Sequence, residues 1–170
     1  KRHFLEWLHM NSNDIQIINL KIEHMYGEKD DTKKLVPWIL SQLKENTEEI
    51  NLTKGEQERD FIYIDDVVSA YFILIKNLSK LKNFNQFEVG TGNLVTIKRF
   101  IEKIKEKFEL ISGTSNTKLN FGAIPYRKGE KMTINLDNSM LVSMGWMPKV
   151  DIDEGLKKVI NDYNLSLIHI

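Results

Sequence analysis

The sequence predicts an α/β fold built around a parallel sheet. Short runs rich in β-branched residues alternate with longer segments of helical periodicity, the order that produces strand–helix–strand units. The run IQIINLKI (15–22) is apolar at nearly every position, as expected of a parallel strand covered on both faces. No internal repeat is evident.

The bulk composition restricts the kinds of partner. The chain has 170 residues, which fits one domain or a piece of a larger one. Lys plus Arg equals Asp plus Glu, at 24 each, which argues against a general nucleic-acid or anionic-membrane binder. There is no cysteine, so disulfides and thiolate metal sites are excluded, and the four histidines show no metal-type spacing. No apolar stretch approaches the length of a membrane span, and a cytoplasmic location is expected by default.

The first third of the chain is predicted to form two helices and two strands. Residues 1–12 are an amphipathic helix that ends at the polar NSND. After the strand 15–22 comes a polar loop, EHMYGEKDD, and then a helix over 35–44, with Pro37 in its first turn. EINLTKGEQ (49–57) predicts a strand and a turn.

The segment QERDFIYIDD (57–66) combines charges with a short apolar strand, FIYI. We predict that Asp65 or Asp66 caps the helix that follows, because an aspartate there accepts a bond from a free backbone N–H. That helix, VVSAYFILIKN, is apolar nearly all round and is therefore expected to be largely buried.

The second half continues the alternation. Thr96 is predicted to cap a helix that ends near Phe108, and Asp151 with Glu154 has capping-box spacing at the start of the last helix. The other predictions are a strand in FNQFEVGTGN (84–93), a polar loop at 111–118, a strand at 119–124, a basic loop at 125–131, a helix at 137–144 and a last helix complete by residue 163.

Two arginine-bearing segments are candidates for binding phosphate. Arg59, just before the strand FIYI, could present its planar fork to a phosphate; the alternative is a structural pair with Asp60 or Asp66. Arg127 lies in PYRKGE, where a plain surface loop is the alternative. VGTGN (89–93) lacks the spacing of a dinucleotide-binding or P-loop motif and is interpreted as a strand-to-helix turn.

The order of segments resembles a known family. LKIEHMYGEKDD, LVPWI, RDFIYIDDVVSAY, FEVGTGN, PYRKGE and LVSMGWMPKVDIDEGLKKVI, in that sequence, are similar to the C-terminal half of NAD-dependent epimerases/dehydratases, the extended short-chain dehydrogenases/reductases that act on nucleotide sugars. Each motif is weak alone, but six in the right order are specific. The resemblance covers about residues 1–163 and is strongest to enzymes of deoxysugar and surface-polysaccharide biosynthesis.

The resemblance implies a cofactor and a catalytic pair. The cofactor is NAD or NADP, and the family carries a Tyr-x-x-x-Lys pair in which the lysine binds the nicotinamide ribose and lowers the pKa of the tyrosine. Lys1 matches that lysine, with Arg2 as an alternative alignment and an ordinary exposed residue as another. Ile22 and Glu23 would lie near the nicotinamide.

The resemblance also implies a nucleotide-diphosphate sugar as substrate. His24 stands where many relatives carry an asparagine that contacts it, and this departure leaves its role open. Arg59 and Arg127 match two arginines that grip the diphosphate. Leu35, Val36 and Pro37 match the segment that lines the nucleotide pocket.

The domain organisation follows from the same resemblance. Residues 1–30 and 61–110 are expected to belong to a partial NAD(P)-binding Rossmann domain, and 31–60 with 111–163 to a small nucleotide-sugar-binding subdomain. The chain is expected to be a fragment that is inactive alone, since it contains no Gly-rich NAD turn, and its first strand is expected to present an unpaired edge. Residues 164–170 are expected to be a non-native tail, and the resemblance implies a homodimer for the intact protein.

Two functional hypotheses remain at this point. One is a nucleotide-sugar epimerase, dehydratase or 4-ketoreductase that transfers hydride to or from NAD(P). The other is a non-catalytic protein of the same fold that binds or senses a dinucleotide. A tyrosine four residues before Lys1 in the intact protein would favour the enzyme.

Overall fold

The computed structural model describes residues 2–12 and 15–166 and has the predicted α/β architecture. The helices are α1 (Arg2–Met10), α2 (Leu35–Lys44), α3 (Ile64–Lys76), α4 (Ile97–Ser112), α5 (Ser139–Ser143) and α6 (Ile152–Ser166). The strands are β1 (Ile17–Ile22), β2 (His24–Tyr26), β3 (Glu49–Leu52), β4 (Glu58–Tyr63), β5 (Phe84–Val89), β6 (Leu94–Thr96) and β7 (Lys118–Phe121).

The strands form three small sheets. β1 pairs with β5 and β3 pairs with β7, both in parallel. In the third sheet β4 is central, parallel to β2 on one side and antiparallel to β6 on the other. Three of the four strand pairs among the described residues are therefore parallel, as the alternation of elements predicted.

Strand β4 separates two apolar cores. Phe61 and Tyr63 pack into a cluster with side chains of α2, α4 and α6, whereas Ile62 packs into a second cluster with α3, β5 and Trp146. This division follows from the two-residue period of a strand, which sends successive side chains to opposite faces. The residues around β4 are thus fixed from both sides, while the predicted division into two domains stays a prediction.

The prediction that β1 is covered on both faces is wrong within the described residues. Its alternation places Asn19 and Lys21 together on one face. There they bond to the side chains of Gln86 and Glu88 on β5, at 3.1 and 2.5 Å. Over the same described ranges β1 pairs with β5 alone, so the expected unpaired edge is present there.

The predicted aspartate cap of α3 is also wrong. Tyr63 occupies the N-cap position and makes no side-chain capping bond, and Asp65 and Asp66 lie inside the first turn. Buried Asp66 accepts hydrogen bonds from the backbone N–H groups of Lys149 and Val150, at 2.8 and 3.0 Å. A distant loop, not its own helix, uses this carboxylate.

Helix α3 is less buried than its composition predicted. Val67, Ala70 and Leu74 face the second core, but Phe72 is 59% and Ile75 58% exposed. One stripe of a helix is enough to meet a single neighbouring layer, so an apolar composition on all sides does not require burial on all sides.

The predicted Thr96 cap of α4 is confirmed, and the Asp151 half of the capping box predicted for α6 is present. Thr96 Oγ1 accepts from Arg99 N at 3.2 Å, and Asp151 Oδ1 accepts from Glu154 N at 2.8 Å. Helix α4 continues to Ser112 and α6 to Ser166, beyond the predicted ends. In the extension of α6, Asn164 bonds to Ser112 at 2.8 Å.

Candidate functional site

Arg59 is a buried residue of β4, not part of a loop before the strand. Its side chain is 10% exposed. Nη2 donates to Glu130 Oε1 and to the carbonyl of Lys131, and Nη1 donates to the carbonyl of Glu58, all at 2.8 Å. The predicted structural pairing with Asp60 or Asp66 is therefore wrong, because the acidic partner of Arg59 is Glu130, 71 residues later in the chain.

Asp60 fixes the glycine turn that follows β5. Its side chain is on the opposite face of β4 from Arg59, as strand alternation requires. The carboxylate is fully buried and accepts from Thr91 N at 2.9 Å, Thr91 Oγ1 at 2.8 Å and Gly92 N at 2.7 Å. Gly92 has φ +81°, a backbone conformation that glycine adopts without strain. The turn predicted to lead from strand to helix leads first to the short strand β6 and only then to α4.

His24 belongs to a strand rather than to the predicted polar loop. The chain bends at Glu23 and leaves β5, so that β2 can pair with β4 in the register His24 opposite Phe61. The imidazole meets the Phe61 ring edge-on, with centroids 5.8 Å apart. Burial lowers the pKa of His24, and the nearby Arg59 lowers it further against the opposing effect of Asp60, so that the neutral ring is favoured.

Ile22 and Glu23 lie at the carboxyl end of β1, where ligands of open parallel sheets sit. The Glu23 backbone N–H bonds to the carbonyl of Val89 at 3.0 Å, and its side chain is 10% exposed. Burial raises the pKa of Glu23, partly countered by the positive charge of Lys21. Glu23 Oε2 lies 3.9 Å from His24 Nδ1.

Three of the predicted substrate residues line one cavity. His24, Leu35 and Val36 share a cavity of about 200 Å³ with Phe61 and with the ion pair between Lys34 and Asp30. Pro37 lines a different cavity, of about 250 Å³, against Val159 and Tyr163. Both are below the roughly 300–1,000 Å³ of typical small-molecule pockets, so each fits only part of a nucleotide sugar.

The remaining predicted residues are not brought into that cavity. Arg127 is exposed, at the start of the turn that ends in Glu130. Lys1 lies outside the described residues, and Arg2, the alternative to it, begins α1. The structure therefore links the two arginine segments through Glu130, with Arg127 on the solvent side.

Glu130 and Glu28 are contact residues that the sequence did not reveal. Glu28 accepts a short hydrogen bond from the hydroxyl of Tyr63. Burial is the larger cause of the raised pKa of Tyr63, and this hydrogen bond is the second. No local sequence pattern predicts the contact of either acid, because the partner of each lies far away in the sequence. In the described part of the chain no metal-type cluster of three or more ligands forms, and no helix there combines the length and apolarity of a membrane span.

The model of the NAD dependent epimerase/dehydratase family matches residues 2–90, which is more than half of the chain. The chain belongs to this family. The predicted family and its NAD-type cofactor are thereby confirmed.

The curated relatives agree with the family assignment. CDP-abequose synthase of Salmonella muenchen is 38% identical over 164 residues, which cover 95% of this chain and 54% of that protein. The corresponding synthase of Salmonella typhimurium is 36% identical, over 94% of this chain and 53% of that protein. The chain thus spans about half the length of the curated relatives it matches.

Solved structures show the same fold. UDP-glucose 4-epimerase from Thermotoga maritima, with UDP-glucose, has a TM-score of 0.77 at 26% identity, over 97% of this chain and 51% of that one. UDP-glucuronic acid 4-epimerase from Bacillus cereus, with UDP-glucuronic acid and NAD, has a TM-score of 0.76 at 22% identity, over 95% and 50%. The predicted fold class, a partial Rossmann-type α/β fold of epimerases/dehydratases, is confirmed.

Proposed function

We propose that the intact protein is a nucleotide-sugar epimerase, dehydratase or 4-ketoreductase that uses NAD or NADP in deoxysugar or surface-polysaccharide biosynthesis. Its family membership and its 38% identity to a CDP-abequose synthase support this proposal. The observation that carries it is the position of Arg59, on the same face of β4 as the cavity-lining Phe61 and near enough to His24 to lower its pKa. A buried guanidinium close to cavity-lining residues suits a phosphorylated ligand.

The proposed binding residues divide into two groups. Arg59 and Arg127 hold the diphosphate, while His24, Leu35, Val36 and Pro37 contact the rest of the nucleotide sugar. A neutral His24 can donate a hydrogen bond to a sugar hydroxyl or accept one from it, depending on its tautomer.

The residues at the end of β1 are the proposed contacts of the cofactor. Ile22 offers an apolar edge beside the groove under α1, and Glu23 offers a largely buried carboxylate. These groups fit one side of a nicotinamide ring, but no Gly-rich turn for the pyrophosphate occurs in the 170 residues. NAD(P), when bound, supplies hydride transfer. Lys1 would hold the ribose and lower the pKa of a tyrosine that acts as acid/base.

We further propose that this chain alone is inactive and that the intact protein is a homodimer. The test of activity incubates the intact protein and the isolated chain with NAD(P)H and a panel of cytidine, uridine, thymidine and guanosine diphosphate sugars and their 4-keto forms. Sugar products are followed by mass spectrometry and the cofactor by absorbance. Binding without turnover by the intact protein would refute the enzyme in favour of the non-catalytic alternative. Light scattering tests the dimer.

The proposed role of Arg59 has its own experiment. Arg59→Lys keeps the charge but loses the planar fork, and should weaken nucleotide-sugar binding by roughly 1.5–3 kcal/mol while leaving NAD binding nearly unchanged. Arg99→Lys is the matched control, since that arginine is exposed on α4 and pairs with Glu106 at 2.7 Å. Calorimetry that gave equal sugar-nucleotide affinities for the two variants would remove Arg59 from the site.

A further inference from the structure

The hydrogen bonds of Arg59 leave no pair of adjacent N–H donors free for a second oxyanion. A guanidinium has five N–H donors, and each of its two-donor edges that can grip an oxyanion includes Nη2. Both hydrogens of Nη2 are used here, one by Glu130 and one by the carbonyl of Lys131. A phosphate can therefore be held in bidentate fashion only after one of these acceptors leaves.

Of these two acceptors, the Glu130 side chain can move away from Arg59 more easily than the Lys131 carbonyl. The carbonyl of Lys131 is part of the backbone next to Met132, whose own carbonyl accepts from Glu58 N on β4 at 2.7 Å. Glu130 instead reaches Arg59 with a side chain that is 26% exposed, and it carries the same charge sign as a phosphate oxygen. A carboxylate and a phosphate compete for the same arginine geometry.

The segment 126–132, here called the strap, contains Glu130 and is attached to the rest of the protein at both ends. At one end the Tyr126 hydroxyl accepts from Glu56 N at 3.0 Å and donates to Glu56 Oε2 at 3.1 Å. At the other end Met132 is tied to β4. Between them, the ion pair of Glu130 with Arg59 fastens the middle of the strap.

A tight turn links Glu130 to Arg127. Glu130 N donates to the carbonyl of Arg127 at 3.0 Å, and Gly129 has φ +79°, as position three of a type II turn requires. An added Cβ at Gly129 would meet nothing within 4 Å, so the turn projects into open space. Movement of this turn away from Arg59 would carry the acid out and free Arg127 to approach.

We propose that Glu130 occupies the phosphate position on Arg59 in the ligand-free protein, and that segment 126–132 is a strap that a diphosphate opens by replacing this carboxylate. The inference rests on the proposed role of Arg59 as a diphosphate ligand. Removing the charge of Glu130 should therefore tighten diphosphate binding, whereas removing a residue that positions the ligand would weaken it. Binding replaces one anion by another, so Arg59 never remains as an uncompensated buried charge.

The test measures the affinity of inorganic pyrophosphate for the intact protein by calorimetry. Glu130→Gln keeps the size of the side chain but removes its charge, and Glu49→Gln, at an exposed position of β3, makes the same change of net charge elsewhere. If the strap is closed in about nine-tenths of ligand-free molecules, Glu130→Gln should bind pyrophosphate about tenfold more tightly than the wild type. Glu130→Ala should give the same direction, and Glu49→Gln should change little.

A double mutant cycle completes the test. In an Arg59→Lys background the tightening caused by Glu130→Gln should be largely lost, because the two side chains act on each other. Weaker or unchanged binding by both Glu130 variants relative to Glu49→Gln, or no pyrophosphate binding by any variant, would overturn the strap. Turnover is not used, so an inactive protein whose Glu130→Gln variant binds more tightly would refute the proposed function and retain the strap.

Discussion

Asp66 should be the residue whose truncation most clearly loosens the C-terminal segment. It is 2% exposed, and its two oxygens accept from Lys149 N and Val150 N at 2.8 and 3.0 Å. The neighbouring Asp65 makes one exposed contact, 3.2 Å from Lys158 Nζ. Asp65 is therefore a matched, exposed control for the buried Asp66 on the same helix.

The expected magnitude follows from these contacts. Asp66→Ala removes two hydrogen bonds to a charged acceptor, worth roughly 1.5–3 kcal/mol each, and leaves two backbone N–H groups without this partner. Since such losses are not fully additive, we expect a decrease of about 3–5 kcal/mol in the free energy of unfolding. Asp66→Asn keeps one acceptor oxygen and should lose about half of that. Asp65→Ala should cost at most about 1 kcal/mol, as for an exposed ion pair.

The assay is equilibrium unfolding in urea near neutral pH, followed by tryptophan fluorescence and by far-ultraviolet circular dichroism. Trp146 reports on the affected region directly, because its Nε1 donates to Ser69 Oγ at 2.8 Å on α3. Coincident transitions by both probes justify a two-state analysis. A loss of less than about 1 kcal/mol for Asp66→Ala, or an equal loss for Asp65→Ala, would refute the account of Asp66 as the anchor of this loop.

Three further outcomes are expected. Asp60→Ala should lower the free energy of unfolding by about 3 kcal/mol and increase hydrogen exchange at the amide of Gly92, which it holds at 2.7 Å; unchanged exchange there would contradict this. Because burial raises the pKa of Glu23, the folded protein binds this proton more tightly than the unfolded chain does, and stability falls as pH rises from 4.5 through the folded pKa. Glu23→Gln should thus be more stable than the wild type in urea above that range and equally stable below it, and a pH-independent difference would disprove the assignment. Gly155→Ala would place a Cβ 2.3 Å from the Tyr26 hydroxyl and should cost about 1–3 kcal/mol by thermal unfolding, a prediction that fails if the melting temperature is unchanged.

Much of the fold could be predicted because it depends on local patterns. Helix α2 begins and ends at the predicted residues, and Thr96 caps α4 as expected. Apolar spacing, capping residues and glycine turns act over a few residues, so one sequence is enough to find them. The short strand β2 was missed because a three-residue strand has too few positions to show a period, and it forms only by pairing with β4.

The candidate site was only partly accessible in the same way. The order of motifs identified the family, and the cavity brings together His24, Leu35 and Val36 as a group. Pro37 faces another cavity, and the roles of Lys1 and Arg127 stay predictions. Sequence patterns give the type and order of side chains, whereas cavity walls are set by packing between elements that are distant in the chain.

The α/β class, the succession of helices and strands and the family can all be predicted from the sequence, because each depends on short-range patterns and their order. Which charged groups meet depends on the packing of segments that are distant in the chain. Arg59 could bond to either nearby aspartate, yet strand alternation turns Asp60 to the opposite face and the packing of residues 145–150 on α3 engages Asp66. Glu130 is left as the acid that reaches Arg59, a choice made by the long-range docking of one loop on β4.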